Sequence, residues 1–253
     1  MAIGTVFTDL DGTLLEPDAT LSESAVAAVE RLRRRRVPLV LLTSKSEREL
    51  RVFLERCSAA AGSFENGAGI VVAGRRELLP AALPVDLLRA GLERLGASAG
   101  LALRPLDALP EPEALAATGL PREALPAALE RGYDLPFLAP EGAAQALRAA
   151  VGELPGLALT RGGRFWHLSG RHDKADAFRA LVTRLPAPRP VAGLGDAEND
   201  AGFLALCDVA VVVPPASGES RLAGLLPAAR VAPAPGGAGW ASAVDSLLEE
   251  DGP

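Results

Sequence analysis

Two rhythms of apolar residues run through this chain. Four short runs, IGTVFTD (3–9), VPLVLLT (37–43), PVAGLGD (190–196) and DVAVVV (208–213), are nearly continuous and rich in valine, isoleucine and leucine. Their length and lack of alternation predict strands buried on both faces. The segments that follow keep a helical period. In TLSESAVAAVERLRRRR (20–36), Val26, Val29 and Leu32 recur at helical spacing, and Thr20 with Glu23 forms a candidate capping box. SKSERELRVFLERC (44–57) predicts a second helix, with Ser44 and Glu47 as its box. Further helices are expected over 173–185, 198–207 and 237–250. Strand, helix, strand, helix with short links implies parallel strands joined by right-handed crossovers.

Between residues 80 and 168 the texture changes, and proline and alanine become frequent. Short strands are expected at 100–106, 133–139, 156–160 and 164–170, with helices over 84–96, 121–131 and 140–152. The pattern predicts a smaller α+β unit, residues 80–168, inserted into an α/β unit made of residues 1–79 and 169–253.

Composition narrows the class. At 49% hydrophobic and 23% charged residues, the chain has the makeup of a packed protein. Its net charge of -6 disfavours nucleic acid and anionic membranes as partners. The RLRRRR run (31–36) is expected to close a helix, where cations suit the dipole. Two cysteines, Cys57 and Cys207, make no disulfide framework. No apolar run of roughly 18 residues is present, and the first residues show no basic leader pattern. A soluble, cytoplasmic protein with no membrane partner is the expectation. Oligomeric state is left open.

The chemistry gathers where predicted strands end. FTDLDGTLL places Asp9 and Asp11 just past the first strand, with Gly12 allowing an immediate turn. GLGDAENDAGFL places Asp196 past a later strand and Asp200 one helical turn on. If those two strands are neighbours, four carboxylates converge and repel one another. A hard divalent cation with oxygen ligands, Mg2+, resolves that conflict, and a phosphate with waters would complete its shell.

Of 26 basic residues only two, Lys45 and Lys174, are lysine, and only Asn66 and Asn199 are asparagine. Positions that keep rare residues point to chemistry that arginine cannot supply. Lys174 begins the helix before the second acid cluster, where a compact ammonium can meet both phosphate and carboxylate. Thr43 ends the second strand, so its hydroxyl and the amides that follow, from Ser44 on, can hold phosphate oxygens.

DLDGT (9–13), Thr43, Lys174 and GDAEND (195–200), in that order, resemble the motifs of the haloacid dehalogenase (HAD) superfamily. That resemblance implies a Rossmannoid parallel sheet with an inserted C2-type cap that reads the substrate. It implies that Asp9 is the nucleophile and Asp11 the general acid and base. Mg2+ would be held by Asp9, the Asp11 carbonyl and Asp196, with Asp200 bound through water or orienting the others. Thr43 and Lys174 would bind the transferring phosphoryl group. An aspartate at position 11 fits an enzyme that turns over its phospho-intermediate.

TSKSE (43–47), FENGAGIVV (64–72), TGLPREAL (118–125), GYDLPF (132–137) and TRGGRFWHLSG (160–170) resemble mannosyl-3-phosphoglycerate phosphatases more narrowly. The implied substrate is a small phosphorylated sugar carrying a carboxylate, hydrolysed to mannosylglycerate and phosphate. On that reading Lys45 meets the glycerate carboxylate or the phosphate. Glu65, Asn66 and Gly67 either meet sugar hydroxyls or form a tight turn. Gly162 and Gly163 either cradle an anion with Arg161 or Arg164, or form a hairpin turn with surface arginines. Asn199 joins the substrate-binding set. His167 and Trp166 read as packing residues, and His172 as a polar contact near a hinge. Where the family tends to carry acids, this chain has glycine and leucine at 132 and 135. Three alternatives stand beside this reading: a phosphatase for glucosyl-3-phosphoglycerate, sucrose 6-phosphate or a hexose phosphate; a phosphomutase; and a non-catalytic sugar-phosphate sensor.

Overall fold

The computed structural model describes residues 3–162 and 164–249. Along the chain the strands are β1 (Thr5–Thr8), β2 (Leu39–Leu42), β3 (Ala61–Phe64), β4 (Gly69–Val72), β5 (Arg75–Leu78), β6 (Arg104–Pro105), β7 (Asp134–Leu138), β8 (Leu157–Arg161), β9 (Trp166–Gly170), β10 (Val191–Gly195), β11 (Val209–Val212) and β12 (Arg230–Val231). The helices are α1 (Glu23–Arg34), α2 (Glu47–Arg56), α3 (Val85–Ala99), α4 (Glu111–Thr118), α5 (Leu125–Leu129), α6 (Ala144–Gly152), α7 (Lys174–Arg184), α8 (Ala201–Leu204), α9 (Arg221–Leu225) and α10 (Gly236–Glu249).

An eight-stranded sheet runs β12-β11-β10-β1-β2-β3-β4-β5. Strands β12 through β3 are parallel, and β4 and β5 return antiparallel at one edge. Both faces are covered, as the continuous apolar runs require. Successive strand residues point to opposite faces, so Leu39 and Leu41 join the core under α1, α2 and α10. Val40 and Leu42 join the core under α7, α8 and α9. A second sheet, ordered β6-β7-β9-β8, has the same logic on one side only. Leu135, Phe137, Trp166 and Leu168 pack against α3 and α6. The alternate residues Asp134, Pro136 and His167 point the other way, and Pro136 and His167 reach a cavity shared with the larger sheet. Strand β9 runs to Gly170, so the expected border at 168/169 falls inside a strand.

Both helix caps sit two residues later than expected, and only the cap of α2 is a box. Helix α1 is capped by Ser22, because the Thr20 amide and hydroxyl are taken by Asp18 Oδ1 at 3.0 and 2.6 Å. Helix α2 is capped by Ser46 with Glu49, the full reciprocal box. Residues 43–45 are thereby left as a loop over the sheet edge. The buried stripe of α1 is Ala25, Ala28 and Leu32, while Val26 is half exposed. Strands β3 to β5, helices α4 and α9 and the short β12 lie outside the expected set. The 100–106 strand shrinks to the two residues of β6.

Candidate active site

Strand β1 lies between β10 and β2. From β1 the chain builds outward through β2 and β3 on one side, and later through β10 to β12 on the other. The carboxyl ends of β1 and β10 therefore flank the switch point of the sheet, where open α/β sheets bind ligands. Asp9 follows β1 there, and Asp196 follows β10. The two strands expected to be neighbours are hydrogen-bonded partners.

Carboxylate oxygens of Asp9, Asp196 and Asp200 come within 4.8 Å of one another. Lys174, 2% exposed, donates to Asp9 Oδ1 at 2.6 Å and to Asp200 Oδ1 at 2.7 Å. The second oxygen of Asp200 accepts from the Asp196 and Ala197 amides, both at 3.1 Å. With both oxygens engaged, Asp200 orients Lys174 and the Asp196 loop. Thr13 donates to Asp196 Oδ1 at 3.0 Å. Gly12 adopts φ +81, and a Cβ there would meet Asp196 Oδ2 at 2.5 Å, so only glycine lets the turn pass beneath this carboxylate.

Burial sets the electrostatics. It pushes Asp9 up to about 7, against the pull of Lys174 and with the help of Asp200 and Asp11. Burial, then Asp9 and Asp200, raises Asp196 well above the ordinary carboxylate range. Burial works against the Lys174 ammonium, but Asp200 and Asp9 outweigh it and raise its pKa. Three carboxylates thus share one buried ammonium. Hard oxygen donors with surplus negative charge fit a small divalent cation.

The second lysine has the same kind of setting. Lys45 is 5% exposed, and its ammonium lies 2.8 Å from Asp11 Oδ1 and 3.6 Å from Glu49 Oε1. Burial opposes its charge, and Asp11 and Glu49 prevail to raise its pKa. The Lys45 amide donates to Thr43 Oγ1 at 3.1 Å. That bond ties down the loop and leaves the hydroxyl proton of Thr43 free to donate.

A cavity of about 470 Å3 opens between the acidic edge and the smaller sheet. Of the residues singled out in the sequence, Asp9, Asp11, Ser44, Lys45, Gly162, Arg164, Lys174, Asp196 and Asn199 line it. Others are placed elsewhere. Thr43 is fully buried beneath the loop. Glu65, read as meeting substrate hydroxyls or forming a tight turn, sits in a turn, accepts from the Gly132 and Tyr133 amides and is only 2% exposed. Burial raises its pKa, against Arg131 and those amides. Asn66 is buried and accepts from Asn199 Nδ2 at 3.0 Å, so the two asparagines of the chain meet. Gly67 packs on the Asp173 carbonyl, which makes it a backbone contact and not a ligand contact. Arg161 turns outward, its guanidinium 5.0 Å from the centre of the Trp166 ring. Gly163 lies outside the described residues. His172 meets the Glu65 carbonyl at 3.2 Å, a polar contact as expected.

Sequence reasoning passed over Arg131, Asp134 and the role of His167. Asp134 Oδ2 lies 2.8 Å from Arg131 and 2.7 Å from His167 Nδ1. Arg131 also donates to the Ser44 carbonyl at 2.7 Å, joining the two sheets' loops. The only signal available was the alternation along the β7 and β9 segments, which puts a buried Asp and a His on one face.

A family model described as haloacid dehalogenase-like hydrolase matches residues 6–92. A glucosyl-3-phosphoglycerate/mannosyl-3-phosphoglycerate phosphatase from Methanococcoides burtonii is 29% identical, over 96% of both chains. One with the same name from Persephonella marina is 26% identical, over 97% of both. The fold also matches a solved phosphatase of the haloalkanoate (HAD) superfamily from Bacteroides thetaiotaomicron. There the TM-score is 0.71 and the identity 18%, over 97% of this chain and 94% of that one. No helix among the described residues is long and apolar enough to cross a membrane. The acid cluster, its buried lysine and the sheet order agree with these likenesses: the chain is similar to haloacid dehalogenase-like hydrolases over residues 6–92, and to phosphoric monoester hydrolases over nearly all of its length.

Proposed function

We propose that this protein is a Mg2+-dependent sugar-phosphate phosphatase that hydrolyses mannosyl-3-phosphoglycerate to mannosylglycerate and phosphate. The glucosyl epimer is a second substrate, since the relatives' names join the two. One observation carries the chemistry. Asp9 faces the cavity with one oxygen held by Lys174, which leaves the other to act as nucleophile.

The free Asp9 oxygen attacks phosphorus, and the bond from phosphorus to the glycerate oxygen breaks. Asp11, half exposed at the cavity, gives its proton to that leaving oxygen. It then takes a proton from the water that attacks the aspartyl-phosphate, which restores Asp9 and frees phosphate. Lys174 and the amides after Thr43 hold the phosphoryl oxygens as charge shifts among them, and Thr43, buried beneath that loop, braces it through the Lys45 amide. Asp9, Asp196 and the Asp11 carbonyl would hold the divalent cation, which supplies further charge neutralisation, and Asp200 keeps the set in register. Lys45 and Arg164 supply positive charge for the glycerate carboxylate.

The test is phosphate release with Mg2+, and with EDTA as control. The panel holds mannosyl- and glucosyl-3-phosphoglycerate, sucrose 6-phosphate, mannose 6-phosphate and 3-phosphoglycerate. The expected kcat/KM for a glycosyl-3-phosphoglycerate exceeds the others by about a hundredfold, the reach of a few specific polar contacts. Flat activity across the panel removes the substrate assignment and keeps the chemistry. Dependence on an added bisphosphate would point to a mutase, and binding without turnover to a sensor.

A further inference from the structure

We infer that His167 is a specificity residue, whose Nε2 hydrogen-bonds a hydroxyl on the part of the substrate that is not transferred. The inference rests on the phosphatase reading and adds a residue that this reading leaves unused.

The argument starts from the strand. On β9, Trp166 and Leu168 are buried against α3 and α6, so period-two alternation turns His167 to the opposite face. That face is the cavity wall, which His167 lines although it is 6% exposed. Pairing on both sides fixes the backbone, with His167 opposite Pro136 of β7 and Thr160 of β8. Asp134 fixes the ring. It is fully buried, with Oδ2 2.7 Å from Nδ1. His167 and Arg131 hold its carboxyl below the usual range against the effect of burial. An ionised carboxylate only accepts, so Nδ1 carries a hydrogen and Nε2 is the ring atom left for another partner. No described residue hydrogen-bonds it.

Space has been kept at that atom. A Cβ on Gly162 would lie 3.0 Å from Nε2, and Gly162 also lines the cavity. The smaller unit lines the cavity with the apolar Leu106, Leu120, Pro136 and Phe165 as well as with Thr118, Arg131 and Arg164. Apolar surface beside a polar atom fixed in place suits the face of a sugar ring and one of its hydroxyls. A hydroxyl both donates and accepts, so it pairs with Nε2 whatever charge the ring carries. A second anion is the poorer match, because Asp134 already balances Arg131.

The Arg131 bond to the Ser44 carbonyl adds a link. Ser44 follows Thr43 in the loop that faces the phosphoryl site. The hydroxyl reader and that loop are therefore fixed relative to one another through Asp134 and Arg131.

Three variants of the full chain test this with Mg2+ present. The readout is the ratio of kcat/KM for mannosyl-3-phosphoglycerate to kcat/KM for para-nitrophenyl phosphate, which has no sugar hydroxyl. His167→Asn keeps a polar atom near Asp134 but has nothing to reach the cavity, and should lower the ratio about thirtyfold, the worth of one polar contact. His167→Gln places a polar atom near the position of Nε2 and should restore most of the ratio. Gly162→Ala crowds Nε2 without touching the Asp134 pair and should lower the ratio as well. A ratio within about threefold of wild type in His167→Asn, less than a hydrogen bond is worth, overturns the inference. If that variant does not fold, an unchanged ratio in Gly162→Ala overturns it instead. Wild-type protein that cleaves only the aryl ester removes the substrate reading and this inference with it. Wild-type protein that cleaves neither removes the phosphatase mechanism itself.

Discussion

Each lysine in this chain is a buried cation held by two carboxylates, Lys174 by Asp9 and Asp200 and Lys45 by Asp11 and Glu49. Lys174 spans 2.6 and 2.7 Å to two carboxylates at 2% exposure. Lys174→Arg should therefore cut phosphate release by about a hundredfold or more, since a planar fork replaces a point charge. Lys174→Met leaves two carboxylates without their cation and should cost about 3–5 kcal/mol in urea unfolding, the toll of breaking a buried pair. Asp9→Asn should abolish turnover and the phospho-enzyme, read by phosphate assay and intact mass, while the fold persists. Turnover retained in that variant would remove Asp9 as nucleophile. The rarity of lysine pointed to both residues before any geometry was known. It could not say that Lys45 is matched by Asp11 and Glu49, because those distances depend on where α2 begins.

At the scale of elements, buried parallel strands were the most legible part. β1, β2, β10 and β11 carry continuous apolar runs, and no alternative burial satisfies them. The excursion from β3 to β5 was not legible. Its first strand is AGSF, with glycine and serine at its middle, and its last is RREL, fully exposed, so neither has a hydrophobic run. Helix starts slipped by two residues because several serines and threonines compete as caps, and side-chain partners such as Asp18 decide between them. The turn after β3 shows how much geometry a few letters conceal. Glu65 and Asn66 hold positive φ values of 47 and 58 without being glycine, and Gly67 follows at 97. A Cβ on Gly67 would lie 2.0 Å from the Asp173 carbonyl. Gly67→Ala should cost well over the ~1 kcal/mol that left-handed strain alone implies, whereas Gly74→Ala, at φ +76 with nothing within 4 Å, should cost about that strain. Paired urea titrations of the two variants compare clash plus strain with strain alone.

For the molecule as a whole, the acid cluster should make stability depend on pH, and on metal with it. Without a cation, Asp9 titrates at about 7 in the fold, against 3.8 for an ordinary aspartate. The folded state then holds this proton more tightly than the unfolded chain does. The stability gained is full below the ordinary value and fades as pH rises through 7. A cation that takes the proton's place reverses the trend. The rise in Tm on adding Mg2+ should therefore be larger at pH 8 than at pH 5, measured by thermal scans with and without EDTA. An equal rise at both values would mean that the metal does not displace this proton. The parallel core and its acid edge could be read from the chain alone. The face of the smaller sheet that meets them could not, since it is defined only once β7 and β9 lie side by side.

The Glu65 carboxylate has a bearing on how this molecule could be re-engineered. Every residue assigned to phosphoryl chemistry precedes position 80 or follows position 170, which invites transplanting the intervening segment from another enzyme to obtain a new preference. The two amides of Gly132 and Tyr133 that bind Glu65 set the condition for such a chimera. A donor segment whose backbone offers no matching pair would leave a buried acid without partners, and the hybrid would be handicapped before any substrate is tried. Compatibility at this seam, more than overall resemblance, is the criterion by which donors should be chosen.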